Sequence, residues 1–271
     1  MYINCLCGGY KYRVYNFKRD GVDFEVIECS RCGLGRTWPI PLLKEDKQVF
    51  YNEQDDFNER LEQAALWRKF LNRALKIIKK YKKEGDLLEV GCNVGLFIDL
   101  ANRNGYNAYG IDLSKRATDF GKERFNLNGR LSQGSLIDRK GDSKRYDVIA
   151  YIHVMEHIER IEDEFNLIKS ALAPDGILYI ETPNFNSCWR KALKSSWYGF
   201  SPKQHIWQFS RKPLEDILKK NGFKIIFSAT RHSMHHEISF SFKGFIKAVL
   251  HLASFIFNCG DNLTVVAKKA N

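Results

Sequence analysis

The chain has 271 residues, 44% of them hydrophobic, which is enough to bury one full α/β core and a small accessory unit. Its 43 basic and 32 acidic residues give a net charge of +11, which indicates either a solvated basic surface or an anionic partner: nucleic acid, a phosphorylated metabolite or a membrane surface. We find no membrane-spanning run and no signal peptide, so we expect a cytoplasmic protein whose seven cysteines are reduced or metal-bound rather than disulfide-bonded.

Two close cysteine pairs near the N-terminus have the spacing of a small metal site. Strand-like stretches at Tyr10–Phe17 and Val22–Ile27 separate the pairs, and a glycine follows each pair. Four thiolates would close the coordination sphere of Zn²⁺, so we expect a structural zinc and a zinc-ribbon-like unit over residues 1–40. The first pair has one intervening residue instead of two, and the alternative is incidental buried thiols. The expected ligands are Cys5, Cys7, Cys29 and Cys32.

A linker and a connecting helix are expected over residues 41–84. Trp38-Pro39-Ile40-Pro41 marks the boundary, because two prolines prevent regular strand pairing. The helix is predicted to end at the basic run Lys79–Lys83, where positive charge complements the helix dipole. Its apolar residues fall on one helical face: Leu61, Ala64, Leu71, Leu75 and Ile78.

The stretch Leu87–Asp112 is predicted to form a strand, a tight loop, a helix and a second strand. Gly91, Asn93 and Gly95 lie in the loop, where the backbone bends sharply and leaves room for a ligand near the main chain. Asp112 ends the second strand, where a carboxylate can accept hydrogen bonds from a ribose diol. We therefore expect a ligand that contains a nucleoside.

The residues around this loop distinguish between two classes of nucleoside ligand. Glu89 precedes Gly91 by two positions and would repel a pyrophosphate, whereas a cationic ligand would not be repelled. The string Glu89–Gly95, E-V-G-C-N-V-G, resembles the E/D-x-G-x-G-x-G motif of class I S-adenosylmethionine-dependent methyltransferases. Asn93 replaces the usual glycine. The resemblance implies a Rossmann-like α/β domain over residues 85–271, with a seven-stranded, mostly parallel sheet and helices on both faces.

The resemblance continues through the next two strands. Ser114 is expected to cap a helix that ends near Phe125. Gly134-Ser135-Leu136 follows the third strand beside the adenine in this family, and Asp138 stands near the position of the family's acid. Together these matches imply cofactor contacts by Glu89, Gly91, Cys92, Asn93, Gly95, Asp112, Leu113, Ser135, Leu136, Ile152 and His153.

Two interpretations compete for the string His153–His157, H-V-M-E-H, which follows a strand predicted at Tyr146–Tyr151. It matches the inverted zinc-peptidase motif, which needs both histidines on one turn of a helix. Because the string begins at the end of a strand, we expect His153 not to be helical. The segment more closely resembles the fourth-strand motif of ubiquinone-type and sugar methyltransferases, in which Glu156 and His157 face the substrate.

A further crossover is predicted from a helix at Glu162–Leu172, a turn at Ala173–Gly176 and a strand at Ile177–Glu181, closed by Thr182-Pro183-Asn184. This stretch resembles L-x-P-G-G-x-L-x-I-x-T-P-N of the same methyltransferases. The Asn/Asp-Pro-Pro-Tyr/Phe tetrapeptide of base-directed amino methyltransferases is missing.

Residues 185–210 are expected to form a substrate-facing insertion. Aromatic and cationic side chains alternate there and suit a sugar carrying phosphate or a lipid headgroup; the alternative is a hydrophobic lid with a charged rim. Trp197–Ser210 resembles a W-x-G-x-x-P-x-x-H-x-x-x-F-S block of bacterial methyltransferases of surface polysaccharide or secondary-metabolite pathways. His205, with His157, is a candidate base. The aromatic residues are Trp189, Trp197, Tyr198, Phe200 and Trp207, and the cations are Arg190, Lys191, Lys194 and Lys203.

The last two strands are predicted at Phe223–Phe227 and Leu263–Lys268. Between them lies a second insertion, residues 231–258. Its apolar part, Lys243–Asn258, is too short to span a bilayer, and we expect it to pack as a lid, form a dimer face or rest on a membrane.

Three functions follow from these features. The leading hypothesis is O-methylation of a sugar-containing or other small acceptor. The second is RNA methylation, with the cysteine unit and basic surface holding nucleic acid and with salt-sensitive affinity. The third is a non-catalytic interaction protein that keeps the fold, against which the intact Glu89, Gly91, Gly95 and Asp112 argue.

Overall fold

A computed structural model describes residues 4–19, 21–40, 64–231, 252 and 254–270. These residues form two compact units. One contains Met1–Leu42, Met155–Glu159 and Glu181–Val265, and the other contains Leu43–Val154, Arg160–Ile180 and Val266–Asn271. Within the described ranges, no helix combines the length and apolar character needed to cross a membrane.

A seven-stranded sheet has the order β10-β11-β8-β7-β4-β5-β6. Strand β4 pairs in parallel with β5 and with β7, and β5 pairs in parallel with β6. Strand β4 is buried on both faces, which explains its continuous apolar run at Leu87-Leu88. The bounds are β4 Gly85–Val90, β5 Tyr106–Asp112, β6 Leu131–Gln133, β7 Tyr146–Ile152, β8 Leu172–Pro183, β10 Phe223–Arg231 and β11 Asn262–Lys269. The α/β fold expected from the sequence is confirmed.

The first four helices alternate with these strands. Leu71, Leu75 and Ile78 are buried, as the apolar periodicity of the connecting helix predicts, and Leu61 lies outside the described residues. Ser114 caps the third helix by accepting a hydrogen bond from the Ala117 N–H at 3.1 Å, as predicted. The bounds are α1 Ala64–Ile78, α2 Leu96–Asn102, α3 Lys115–Phe125 and α4 Ile161–Ala171.

Strand β8 starts earlier than the sequence predicts. The expected turn at Ala173–Gly176 is wrong, because β8 runs without interruption from Leu172 to Pro183. Leu172, at the end of α4, already has extended backbone angles of φ −76° and ψ 136°. Pro174 fits this path, since its fixed φ is compatible with an extended chain. The helix therefore passes directly into the strand.

The second sheet has the order β1-β2-β3-β9. Strands β1 and β2 form the antiparallel hairpin expected between the cysteine pairs, with Tyr12 opposite Cys29 and Arg19 opposite Val22. Strands β3 and β9 were not predicted. Their pairing places Gly35 opposite Gln208, and a Cβ on Gly35 would lie 2.7 Å from the Gln208 Cβ, so the close approach requires glycine. The bounds are β1 Tyr12–Arg19, β2 Val22–Cys29, β3 Gly35–Trp38 and β9 Trp207–Gln208.

The aromatic side chains of residues 185–210, for which the sequence left a binding face and a hydrophobic lid open, contribute to a hydrophobic core. Trp197 and Phe200 are fully buried, and Trp197 donates through Nε1 to Asp261 Oδ1 at 3.0 Å. Phe17 of β1 lies 4.4 Å from Phe200 between ring centroids, so the hairpin covers these rings. The buried rings agree with the alternative of a hydrophobic lid and not with that of an aromatic binding face. The buried cluster consists of Phe24, Val26, Phe185, Trp189, Trp197 and Phe200.

A disulfide bond joins Cys188 and Cys259, which are 71 residues apart in the sequence. The expectation that every cysteine is a reduced thiol or a metal ligand is wrong for this pair. A backbone hydrogen bond from the Cys188 N–H to the Cys259 carbonyl, 3.0 Å long, holds the two segments side by side. Cys188 starts helix α5, Cys188–Leu193.

The C-terminal elements agree with the sequence. Helix α6 spans Arg211–Lys220 and is followed by β10, and β11 covers the predicted Leu263–Lys268. Residues 232–251 and 253 lie outside the described part of the chain, so only the end of the apolar segment 243–258 is described. There, four large side chains are exposed: Leu252, Phe255, Ile256 and Phe257.

Candidate active site

The loop between β4 and α2 has the backbone that the sequence predicts. Gly91, Asn93 and Gly95 have φ values of 74°, 48° and 79°, in the left-handed region that favours glycine and asparagine. A Cβ on Gly91 would lie only 2.3 Å from the Val154 Cγ2. Gly91 is therefore required both by its conformation and by the close approach of the chain that follows β7.

Asp112 fixes this loop from the end of β5. Its Oδ2 accepts a hydrogen bond from the Asn93 N–H at 2.7 Å, and its Oδ1 accepts one from the Ser114 N–H at 2.8 Å. A carboxylate has about four lone-pair positions, so it can accept more than two hydrogen bonds. The residue thus has a structural role, which the sequence did not reveal, in addition to its predicted binding role.

Glu89 is a buried carboxylate near the carboxyl end of β4. It is 5% exposed, and its Oε2 has no hydrogen-bond partner among the described residues. Burial, and secondarily the negative charge of Asp112, raises the pKa of Glu89 well above its ordinary value. A cationic group beside it would stabilise the ionised form and satisfy the free oxygen. The geometry therefore fits a ligand that carries an ammonium or sulfonium.

The other predicted cofactor residues lie on the loops that follow β4, β5, β6 and β7. Cys92 and Leu136 are buried, whereas Leu113 is 38% exposed. The Ser135 N–H donates to Asp138 Oδ2 at 2.7 Å, so this acid closes a 3-10 turn over Leu136–Arg139. Because these strands are parallel neighbours, their carboxyl ends share one edge of the sheet, where α/β folds bind ligands.

The end of β7 excludes the peptidase interpretation. Ile152 is the last residue of the strand, and His153 has a φ of 56°. Met155–His157 form one 3-10 turn. The two histidines of H-x-x-E-H therefore do not lie on one turn of an α-helix, which confirms the expectation that His153 is not helical. The ring of His153 instead lies 5.9 Å from that of Phe70.

The four N-terminal cysteines come together despite the short spacing of the first pair. The Sγ atoms of Cys5 and Cys32 are 3.5 Å apart, those of Cys7 and Cys29 are 3.6 Å apart, and all four lie within 4.8 Å of one another. Tetrahedral zinc, with Zn–S bonds of about 2.3 Å, places its sulfur ligands about 3.8 Å apart. The set therefore fits a zinc ion without large rearrangement.

The cysteine positions depend on glycines that the sequence showed only as neighbours. Gly8 and Gly33 have φ values of 77° and 78°, and their N–H groups donate to the carbonyls of Cys5 and Cys29. Burial raises the pKa of Cys32 to about 11, so this thiol is a poor nucleophile in the absence of a metal.

A second cluster is formed by Glu156, His157 and His205, whose ligand-type atoms lie within 4.8 Å of one another. The Nδ1 of His157 lies 3.1 Å from the Gln204 carbonyl oxygen, and the Nδ1 of His205 lies 2.8 Å from the Gly199 carbonyl oxygen. A carbonyl only accepts, so each Nδ1 carries a hydrogen, and in the neutral form of each ring the lone pair is on Nε2.

Two residues that sequence reasoning missed support this cluster. Thr182 donates through Oγ1 to Glu156 Oε2 at 2.9 Å. A Cβ on Gly199 would lie 2.2 Å from the ring of Trp197, so only glycine brings its carbonyl to this place beside His205. Thr182 stands in the Thr-Pro-Asn string, and Gly199 stands in the W-x-G block, but neither string indicates the contact.

The family model described as Methyltransferase domain matches residues 57–227. This range is more than half of the chain, so the protein belongs to the methyltransferase domain family. Together with the sheet order and the glycine loop, the match identifies a class I S-adenosylmethionine-dependent methyltransferase.

Curated relatives include proteins named ubiquinone biosynthesis O-methyltransferase. The protein of Pelagibacter ubique (strain HTCC1062) is 27% identical over 174 residues, which are 55% of this chain and 69% of the relative. That of Bartonella tribocorum is 24% identical over 151 residues, 52% of this chain and 60% of the relative. The chain thus spans less than two thirds of the second relative.

Solved structures of methyltransferases share the fold. An S-adenosylmethionine-dependent methyltransferase from Archaeoglobus fulgidus has a TM-score of 0.59 at 20% identity and covers 79% of this chain and 100% of its own. The 1,6-didemethyltoxoflavin-N1-methyltransferase of Burkholderia thailandensis has a TM-score of 0.56 at 12% identity and covers 95% of this chain and 100% of its own. At these identities the likeness shows the fold alone.

Proposed function

We propose that the protein transfers the methyl group of S-adenosylmethionine to a hydroxyl oxygen of a small acceptor, and that His157 and His205 activate this hydroxyl. The observation that carries the proposal is the pair of imidazoles whose Nδ1 atoms face backbone carbonyls, which in the neutral form of each ring places the lone pair on Nε2. A neutral imidazole can take up the hydroxyl proton while the oxygen attacks, and such assistance contributes about 10²–10⁴-fold.

The methyl donor is assigned to the edge of the sheet formed by the ends of β4, β5, β6 and β7. S-adenosylmethionine supplies an activated methyl group on a sulfonium, with a good leaving group already in place. Glu89 suits its cationic part, because the buried oxygen lacks a hydrogen bond among the described residues. Asp112 suits the ribose diol. The full proposed set is Glu89, Gly91, Cys92, Asn93, Gly95, Asp112, Leu113, Ser135, Leu136, Ile152 and His153.

Two likenesses support the class of acceptor. The relatives are named O-methyltransferases, which supports oxygen as the acceptor atom. The resemblance of residues 197–210 to bacterial surface-polysaccharide and secondary-metabolite methyltransferases supports a sugar-containing acceptor, phosphorylated or lipid-linked. Because the aromatic rings are buried, recognition would rely on exposed cations, of which Lys191, Lys194 and Lys203 are examples.

We also propose that Cys5, Cys7, Cys29 and Cys32 hold a structural zinc ion. Four thiolates leave no coordination position for water or substrate, so the ion would stabilise the fold without acting in methyl transfer. The expected boundaries remain part of this proposal: residues 1–40 as a zinc-ribbon-like unit, 41–84 as a linker and connecting helix, and 85–271 as the methyltransferase domain.

Steady-state methyl transfer with two acceptor sets tests the proposal. One set contains nucleotide-sugars and sugar phosphates, and the other contains catechols of the same size that lack a sugar. Faster transfer to the sugar set supports the sugar-containing acceptor. Transfer to catechols alone agrees with an O-methyltransferase but contradicts the sugar-containing acceptor. Transfer to neither set, in a protein that binds S-adenosylmethionine, contradicts the small hydroxyl acceptor.

A further inference from the structure

We infer that Glu156, His157 and His205 form a binding site for a divalent transition-metal cation such as Zn²⁺, and that the bound cation inhibits methyl transfer. The inhibition rests on the proposed function, whereas the metal site does not. The three ligand atoms lie within 4.8 Å of one another. Two imidazole nitrogens and one carboxylate oxygen are a donor set that zinc binds in proteins.

The two imidazoles are already oriented for a metal. A histidine that binds a metal through one ring nitrogen donates the other ring N–H to a carbonyl or carboxylate, which fixes the tautomer and the ring orientation. Both rings have this arrangement, with Nδ1 against the carbonyls of Gln204 and Gly199. The two rings lie edge to face and are not stacked, with centroids 4.7 Å apart and an interplanar angle of 80°.

The carboxylate is fixed in the same way. Glu156 is 1% exposed, and its Oε2 accepts the hydroxyl hydrogen of Thr182 at 2.9 Å. The Ile206 N–H donates to the Glu156 carbonyl at 2.9 Å, which ties the segment that carries Glu156 to the one that carries His205. A buried carboxylate beside two neutral imidazoles favours a cation, because the ion compensates a charge that has little access to water.

This site differs in chemistry from the cysteine cluster. Its ligands are nitrogen and oxygen rather than sulfur, and three protein ligands leave at least one position of a four-coordinate ion open. His157 is half-buried, so an ion has a path to the cluster without unfolding. The cluster is also not the H-x-x-E-H zinc site, since His153 takes no part in it.

Inhibition follows because the cation and the acceptor use the same lone pairs. When both Nε2 atoms coordinate an ion, neither can take up the proton of the acceptor hydroxyl. Binding is reversible coordination, in which no covalent bond of the protein forms or breaks. Removal of the ion by a chelator therefore restores the metal-free imidazoles and the methyl transfer that depends on them.

The test is a calorimetric titration of the full chain with ZnCl₂, after its cysteine cluster has been saturated with zinc. The wild-type protein is expected to bind one further equivalent. His157→Ala and His205→Gln should lose it, and Glu156→Gln and Thr182→Val should weaken it by about tenfold or more. His153→Ala, which removes a described histidine that is not a member of the cluster, is the matched control and should bind the ion as the wild type does. Circular dichroism establishes that each variant is folded.

The site is contradicted if the wild type binds no further equivalent of zinc. It is also contradicted if folded His157→Ala and His205→Gln still bind that equivalent, or if only the control variant loses it. Methyl-transfer assays are then run with and without the ion. Inhibition that a chelator reverses supports the regulatory role, and unchanged turnover with the site filled refutes it. If the protein methylates no acceptor, the proposed function fails, while the titration still decides the metal site.

Discussion

The imidazole rings of His157 and His205 meet edge to face, with centroids 4.7 Å apart, although the residues are 48 positions apart in the chain. Each ring is held by a hydrogen bond between its Nδ1 and a backbone carbonyl. The two candidate bases, which are separate in the sequence, are therefore in direct contact in the structure. We expect that they do not act independently.

Replacement of the histidines should lower turnover without affecting the methyl donor. We expect His205→Ala to lower kcat at least tenfold, because general-base assistance contributes about 10²–10⁴-fold. S-adenosylmethionine affinity, measured calorimetrically, should stay unchanged. In the double variant His157→Ala/His205→Ala, the fold-decrease in kcat should be smaller than the product of the two single fold-decreases, because the residues act as a unit. Wild-type turnover in His205→Ala would show that His205 is not the base.

Asp112→Ala should weaken S-adenosylmethionine binding by about 1.5–3 kcal/mol, the range for a hydrogen bond to a charged group. The variant also removes the acceptors of the Asn93 and Ser114 N–H groups, so a lower free energy of unfolding is expected as well. Asp119→Ala is the control, because Asp119 is an acid on α3 that pairs with Lys115 and Lys122 at the surface. Wild-type affinity in Asp112→Ala would show that the ribose contact is wrongly assigned.

Glu89 should make the ligand-free protein less stable as the pH rises. Burial, and then the charge of Asp112, raises the pKa of Glu89 in the folded state above the ordinary value of 4.5. The folded state therefore binds more protons than the unfolded chain. The resulting stabilisation is fully present when the pH is below the ordinary pKa of Glu89, and it is lost as the pH rises through the raised pKa of the folded state.

Glu89→Gln keeps the shape of the side chain and removes this titration. In urea unfolding from pH 4.5 upwards, the free energy of unfolding of the wild type should fall relative to that of the variant. The slope for one proton is at most about 1.4 kcal/mol per pH unit. A difference between the two proteins that does not change with pH would contradict the raised pKa.

Gly91→Ala should be more destabilising than Gly105→Ala. Both glycines have positive φ, 74° and 91°, but a Cβ on Gly105 meets nothing within 4 Å, whereas one on Gly91 lies 2.3 Å from the Val154 Cγ2. Gly105→Ala should therefore cost only the backbone strain, about 1–2 kcal/mol. Gly91→Ala should cost roughly 1–3 kcal/mol more from overpacking. Adding Val154→Ala should recover part of this difference, and no recovery would show that the Val154 contact is not its cause.

Zinc removal should lower the stability of the protein. A chelator that withdraws the metal, or Cys29→Ser, is expected to lower the midpoint of thermal unfolding, because structural zinc contributes directly to folding. Cys188→Ser/Cys259→Ser, which removes the disulfide, should keep one equivalent of zinc in elemental analysis. A Cys29→Ser variant with unchanged zinc content would contradict the four-cysteine site.

The parts of the fold that depend on neighbouring residues were predictable from the sequence. The loop of Gly91, Asn93 and Gly95 follows from local backbone preferences, and the Ser114 cap follows from one side chain and the helix that it starts. The apolar runs of β4 and β7 and the helical spacing of α1 likewise gave the order of the core elements. The positions of Asp112 and Glu89 at the sheet edge follow once that order is known.

Contacts between distant segments were not predictable. No spacing rule joins Cys188 to Cys259 or His157 to His205, since each contact depends on how long connections fold. The sequence also could not distinguish an aromatic binding face from a core. Trp189 and Trp197 are surrounded by cations in the sequence in either case, and only the covering hairpin decides that they are buried. The missed β3–β9 pairing has the same cause.

Methyl-labelled S-adenosylmethionine tests the central claim most directly. The purified protein is incubated with the labelled donor and a cell extract, and the product is treated with nuclease before fractionation. We predict that the label survives nuclease and separates with glycan, nucleotide-sugar or lipid fractions, and that His205→Ala transfers at least tenfold less of it. Label that nuclease destroys would contradict the small-acceptor function and would identify an RNA methyltransferase instead.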